Sequence, residues 1–272
     1  MPSKRPTEAV LDETRDLDQR TVAEILQAIH TQDRAAVEKV GQVLEEIATA
    51  VDALVSVLAG GGRWFYVGAG TSGRMGALDA AEIPPTFGLP ADRVQAIIAG
   101  GEPAMVRAVE DAEDDSEAAR KWLCEAQLAA SDAVVAISAS GRTPFALGGI
   151  EAAHAVGARR IAITNDPDSA LARVAEIAIV PETGAEVIAG STRMKAGLAQ
   201  KMVLHLLSTT AMVRLGYVDG NLMANLLPNS QKLRERRVHI VMEMTGMDEG
   251  SASRALEASG GAVVDAVRLA NR

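Results

Sequence analysis

A single cysteine, Cys124, among 272 residues excludes an intrachain disulfide framework and any zinc site built from several cysteines. It makes a reducing cytoplasm the simplest setting. Aromatic side chains amount to 3%, too few for a protein that holds single-stranded nucleic acid by stacking. Positive charge is also short, with 27 Lys and Arg against 36 Asp and Glu and a net charge of -9. That balance excludes capture of a nucleic-acid backbone by a broad positive field, so any anionic ligand must be held by local groups. No uninterrupted apolar run reaches the ~18 residues of a membrane span. The first twenty residues, MPSKRPTEAVLDETRDLDQR, mix both charges with proline and lack the apolar core of a secretory signal. Neither nucleic acid nor membrane is expected as a partner.

What is present is a chain 48% hydrophobic with mean hydropathy +0.09, long enough to bury one large core with small satellites. Residues 19–59 repeat apolar positions at helical spacing, from Val22, Ile25, Leu26 and Ile29 to Val51, Leu54, Val55 and Leu58, until Gly60-Gly61-Gly62 ends the pattern. Short β-prone runs follow at 64–67, 94–99, 133–137, 160–164 and 177–180. Helix-length connections between them imply parallel strands. The fold class is therefore α/β, a doubly wound sheet of about five parallel strands over residues 60–222. N-terminal helices occupy 1–59 and a small helical bundle 223–272. The stretch 192–215 predicts a helix, with Met194, Leu198, Met202 and Leu206 at every fourth position and Gly216 as its stop. After the polar, basic run 229–237, short helices are expected over 238–269, broken at Thr245-Gly246 and Gly260-Gly261.

In such a sheet ligands bind beyond the carboxyl ends of the strands, where helix N-termini offer free N–H groups to anions. The first strand leads into Gly68-Ala69-Gly70-Thr71-Ser72-Gly73-Arg74, which satisfies G-x-G-x-x-G, a weak signal for a dinucleotide without a well-spaced acidic partner for the ribose. The third strand ends in a second hydroxyl-rich turn, Ser138-Ala139-Ser140-Gly141-Arg142-Thr143. Two such loops on one sheet edge suit a sugar phosphate: Thr71, Ser72, Ser138, Ser140 and Thr143 add donors, and Gly70 and Gly141 let the backbone approach closely. The competing reading is that each loop merely caps a helix. A third candidate runs from Glu182 through Glu186 to Ser191 and Lys195. On a helix begun by Ser191, Lys195 stands four residues on, over the same face as the cap.

Two carboxylates stand apart. Glu82 closes the helix that starts at the first glycine loop and is followed by Pro84 and Pro85, which are expected to stop it. Glu113 follows Met105 and Val109 in steps of four, at the border of an apolar stripe. Partial burial would lift either carboxyl toward values useful in proton transfer, although pattern alone favours ordinary surface glutamates. The four histidines, His30, His154, His205 and His239, show no metal-ligand spacing. His205, among leucines, reads as a core or interface residue.

The segments VGAGTSGRMGALDAAEIPPTFG at 67–88, AGGEPAMVRAVEDAEDD at 99–115, ISASGRTPFALGGIEAA at 137–153 and TGAEVIAGSTRMKAGLAQKMVLHLLSTTAMVRLGYVDGNLM at 183–223 closely resemble the N-acetylmuramic acid 6-phosphate etherase family. Its core is a sugar-isomerase (SIS) domain, shared with phosphosugar isomerases and the glucokinase regulatory protein. The resemblance implies cleavage of a D-lactyl ether by elimination and hydration, with no metal or redox cofactor, in a homodimer with sites near the subunit boundary. It assigns catalysis to Glu82, as acid for lactate departure, and Glu113, as base at C2. It gives substrate binding to Gly70, Thr71, Ser72, Ser138, Ser140, Gly141, Arg142, Thr143, Glu186, Ser191 and Lys195. Arg74, Arg142, Arg193 and Lys195 are the cations available to the phosphate or the lactyl carboxylate. The C-terminal tail resembles a ubiquitin-associated three-helix bundle. The alternatives are a phosphosugar isomerase with the same C2 chemistry and a non-catalytic sugar-phosphate sensor.

Overall fold

The computed structural model describes residues 5–223, 225–226 and 231–270; residues 1–4 and the expected start of the basic run at 229 lie outside the described residues. Helix α1 (Val22–Gly41) opens on Thr21, whose hydroxyl accepts from Glu24 N while the Glu24 carboxylate accepts from Thr21 N, a reciprocal capping box. Helix α2 (Leu44–Ala59) follows. Both carry the expected apolar rows, but α1 buries only Ala36 and Val40 and leaves Val22 and Leu26 74% and 62% exposed.

Five strands then alternate with helices: β1 (Trp64–Gly68), α3 (Gly70–Phe87), β2 (Val94–Ile98), α4 (Ser116–Glu125), β3 (Ala133–Ile137), α5 (Pro144–Val156), β4 (Arg159–Ile163), α6 (Ala170–Val174), β5 (Ile177–Ile179) and α7 (Lys195–Arg214). The sheet is parallel throughout, in the order β2-β1-β3-β4-β5, with Trp64 level with Val94 and Ala133. Parallel strands covered on both faces read as continuous apolar runs, and β1 and β3 are buried at every position. Alternate side chains feed two cores. Trp64, Tyr66, Val135, Ile137, Ile161 and Ile163 meet α2, α3 and α7 on one side; Phe65, Val67, Val134, Ala136 and Ala162 meet α4, α5 and α6 on the other. Helices α8 (Gln231–Thr245), α9 (Glu249–Ala258) and α10 (Val263–Ala270) close on a third cluster around Val241, Ala252, Leu256 and Ala266, with breaks where Gly246, Gly260 and Gly261 take positive φ. No helix among the described residues is long and apolar enough to cross a membrane.

Three expectations about these elements fail. Helix α3 runs through Pro84 and Pro85 to Phe87: proline's φ is helical, burial of Ile83 and Phe87 holds the last turn, and Gly88 ends it at φ 74 with its N–H on Pro84 O. Glu113 shares no helix with Met105 and Val109. Gly100 and Gly101 turn the chain at positive φ and Asp111 adopts φ 58, so the region is two 3-10 turns, Glu102–Met105 and Ala112–Asp114, and Glu113 is exposed. Helix α7 begins at Lys195, three residues later than a cap at Ser191 requires. Of the histidines, His205 is exposed rather than in the core.

Helix α3 lies unusually close to β1. A Cβ on Gly73 would stand 2.6 Å from both Gly68 O and Ile98 Cγ1. Gly73→Ala is therefore expected to lower stability by about 1–3 kcal/mol, against the gain of up to ~1 kcal/mol that alanine gives an unhindered helix. Gly41→Ala in α1, with nothing within 4 Å, should show that gain. Urea unfolding of both variants checks the pair; a stabilised Gly73→Ala would refute the close-packing argument.

Candidate active site

The strand order reverses between β1 and β3, because the chain leaves β1 toward β2 and returns on its other side. At this switch point two helix N-termini converge on the carboxyl edge of the sheet. Neither is capped by its own residues. Ala69 precedes α3 and Thr143 precedes α5, both without a side-chain cap bond, so the first N–H groups stay available to an anion. This removes the simple capping reading at Thr143: its hydroxyl shares a 2.9 Å hydrogen bond with Ser138 Oγ instead.

The 138–143 turn is folded around its hydroxyls. Ser138 Oγ accepts from Gly141 N at 3.1 Å and approaches Ser140 Oγ at 3.4 Å, and Ser140 Oγ accepts from Arg142 N at 3.3 Å. Gly141 is required twice, by φ 60 and because a Cβ would come within 2.6 Å of Thr164 Oγ1. Ser138 is buried, whereas Ser140, Arg142 and Thr143 are half-exposed toward the edge. On the α3 side Gly70 is exposed and Thr71 half-exposed. Ser72 is buried and donates to Gln200 Oε1 at 2.9 Å. Gln200 in turn donates to Asn165 Oδ1 at 3.3 Å, and Asn165 to Pro181 O at 2.9 Å. This buried polar chain ties α3, α7 and the ends of β4 and β5 together beneath the switch point. Sequence reasoning passed over Thr164-Asn165-Asp166, although they follow β4 as the hydroxyl turns follow β1 and β3.

The third candidate region behaves differently. Glu186, 1% exposed, accepts from Lys195 N at 3.2 Å and Ala196 N at 2.9 Å, so it caps α7 from nine residues upstream. Ser191 instead lies in a turn, where its carbonyl accepts from Met194 N. Glu186 rather than Ser191 therefore holds the first N–H groups of the helix. Burial pushes the Glu186 carboxyl up, against the lowering effect of the two N–H groups and Lys195. Lys195 is itself buried, and its Nζ donates to Gln32 Oε1 of α1 at 2.6 Å; burial pushes its pKa down, opposed by Glu186, Glu13 and Asp33.

The structure brings Thr71, Ser72 and the 138–143 turn to the carboxyl edge of the neighbouring strands β1 and β3, and the Ala112–Asp114 turn carrying Glu113 packs on α5. It does not bring Glu82 there. Glu82 lies twelve residues beyond Gly70 on α3, ~18 Å along a helix at 1.5 Å per residue, and is exposed. Beneath it α3 is anchored by Asp79, which accepts from Tyr66 Oη at 2.7 Å and Ser208 Oγ at 3.0 Å. Among the described residues no cluster of His, Cys, Asp or Glu is placed to hold a metal.

This architecture is that of a SIS domain. Residues 46–154 match the glucokinase regulatory protein N-terminal SIS domain and residues 109–210 the SIS domain. Among solved structures, a phosphoheptose isomerase from Francisella tularensis superposes with TM-score 0.54 at 22% identity, covering 71% of this chain and 98% of that one. A putative phosphosugar isomerase involved in capsule formation from Bacteroides fragilis gives 0.55 at 21%, covering 71% and 93%. Within the class, the chain belongs to the N-acetylmuramic acid 6-phosphate etherase family. It is 51% identical over 261 residues to the N-acetylmuramic acid 6-phosphate etherase of Symbiobacterium thermophilum, covering 96% of this chain and 87% of that relative. It is 48% identical to that of Edwardsiella ictaluri, covering 94% and 83%.

Burial raises the Asp79 carboxyl above its ordinary value, with Tyr66, Ser208, Lys201 and His205 opposing. From about pH 4 up to the raised value the folded state holds more protons at this site than the unfolded one, so its contribution to stability falls as pH rises through that window. Asp79→Asn removes this dependence. The difference in unfolding free energy between parent and Asp79→Asn should therefore shift in favour of the variant as pH rises; a difference independent of pH from 4 to 7 would refute it.

Proposed function

We propose that this chain cleaves the D-lactyl ether at C3 of N-acetylmuramic acid 6-phosphate, releasing D-lactate and leaving N-acetylglucosamine 6-phosphate, as a cytoplasmic homodimer. The observation that carries this reading is the pair of uncapped helix N-termini facing one switch point through hydroxyl-rich turns, in a chain whose near full-length relatives are named for that ether cleavage. The phosphate sits at the start of α5, where Ser140 and Thr143 add hydroxyls to the free N–H groups.

In the open-chain sugar the aldehyde acidifies the C2 hydrogen. Glu113 takes that proton, the electron pair forms the C2–C3 double bond, and the C3–O bond breaks as Glu82 gives a proton to the departing lactate. Water then adds at C3 and a proton returns to C2. The two carboxylates have the complementary roles this sequence needs.

Glu82 serves the partner subunit's site. Its distance along α3 exceeds what a sugar phosphate bridges within one protomer. The outward stripe of α3 is Thr71, Arg74, Leu78, Glu82 and Pro85, opposite its buried row Ser72, Gly76, Asp79, Ala80 and Ile83. Leu78, 41% exposed, is its midpoint. Antiparallel pairing of two copies about Leu78 sets each Glu82 against the other copy's Arg74 and its α3 N-terminus, the self-complementary contact a two-fold dimer demands.

The first test is D-lactate release from N-acetylmuramic acid 6-phosphate, with the unphosphorylated sugar as control. Release is expected to need both the phosphate and Glu82. Glu113→Ala should abolish exchange of the C2 hydrogen with solvent deuterium, whereas Glu82→Ala should retain exchange and lose lactate release. Mixed and reassociated, these two inactive variants should recover about a quarter of parental activity, because half the random dimers hold one intact composite site. No recovery in demonstrably mixed dimers would place both carboxylates in the same protomer. Lactate release unaffected by Glu82→Ala would sink its role as the acid.

A further inference from the structure

Of the four cations near the crevice, three are committed or unsupported. Arg74 donates from Nε to Ala104 O at 2.8 Å and from Nη2 to Arg107 O at 3.2 Å, holding the 102–107 turn in place. Lys195 is 3% exposed and faces Gln32. Arg193 is exposed in the turn before α7, whose N–H groups Glu186 already occupies.

Arg142 is different. It lies within the hydroxyl turn, and its side chain leads away from the start of α5 toward the loop after β4. There Nη2 donates to Asp166 Oδ2 at 3.0 Å. Asp166 is 2% exposed while the Arg142 side chain stays 37% exposed. The carboxylate is locked in turn: Oδ1 accepts from Asp168 N at 3.0 Å, and the Asp166 N–H donates to Thr164 Oγ1 at 3.3 Å. A cation is thus presented at the crevice from a rigid support. Its Nε is buried without a partner, an unfavourable state for a buried donor that a modest swing of the guanidinium toward an incoming anion would relieve.

Resting on the etherase reading, we infer that Arg142, held by Asp166, is the specificity residue that receives the carboxylate of the lactyl group. Asp166 cancels most of the guanidinium's net charge, which suits a planar monoanion bound through a directional fork better than a phosphate dianion. The dianion already has the helix N-terminus and the Ser140 and Thr143 hydroxyls. The assignment also separates the two chemistries this fold hosts, since an isomerase substrate carries a phosphate and no second acid. Asp166 is a positioning residue that acts through Arg142.

The test compares binding of N-acetylmuramic acid 6-phosphate and N-acetylglucosamine 6-phosphate, which differ by the lactyl group, by calorimetry on the full chain carrying Glu82→Ala throughout, so that the substrate is not consumed during titration. The readout is the ratio of their affinities. Loss of a hydrogen-bonded charge partner predicts that Arg142→Ala lowers this ratio roughly 10- to 100-fold. A substrate whose lactyl carboxylate is replaced by a carboxamide should bind the parent more weakly by a similar factor and should be insensitive to Arg142→Ala. Arg142→Lys, which keeps charge but not the fork, should lie between, and Asp166→Asn should shift the ratio in the same direction as Arg142→Ala. An unchanged ratio in Arg142→Ala, or equal weakening of both sugars, overturns the assignment. A parent that releases no D-lactate overturns the etherase reading itself, so the two failures are told apart.

Discussion

Close approach of two helices to the same strand is the constraint on which the site depends. Gly73 lets α3 lie against the Gly68 carbonyl of β1, and Gly149 lets α5 lie on Val67 of the same strand, where a Cβ would come within 2.8 Å of Val67 Cγ1. The two helices lie on opposite faces of the sheet, so both N-termini emerge beside β1 at its carboxyl end. A side chain at either glycine would move its helix outward and separate the N–H groups that face the crevice. The hydroxyl turns, the buried chain from Ser72 to Pro181 and the Arg142–Asp166 pair all hang on that geometry.

The chain compensates for its shortage of positive charge by local means. With a net charge of -9 it offers an anion oriented backbone dipoles and hydroxyls rather than a basic field. Most cations around the crevice are spent on structure. Arg74 holds a turn and Lys195 ties α7 to α1, while Glu186 closes the third helix N-terminus, so that α3 and α5 alone remain open at the switch point. Asp79 uses a buried carboxylate to pin the middle of α3 to β1 and α7, which fixes the outward direction of Leu78 and Glu82.

Local patterns were legible wherever burial is uniform. All five strands could be read within a residue or two, because a parallel strand covered on both faces is apolar at every position, and the glycine breaks around Gly246 and Gly260 could be read because positive φ favours glycine. Patterns misled where a distant residue intervened. The spacing of Met105, Val109 and Glu113 imitates a helix, yet the chain must turn at Gly100, Gly101 and Asp111 to reach α4. Ser191 has the chemistry of a cap but loses the position to Glu186. Pro84 and Pro85 read as a stop, yet the burial of Ile83 and Phe87 carries α3 one turn further.

From the sequence alone come the sheet and its two hydroxyl turns, since these depend on periodicity and composition within short stretches; Glu82 and Glu113 stand out only through the family resemblance. Tertiary structure alone decided which cation stays available and which helix N-termini remain open. Those outcomes depend on hydrogen bonds and packing between residues far apart in the chain, such as Lys195 with Gln32 and Ser208 with Asp79. Such pairings leave no mark in either partner's local pattern.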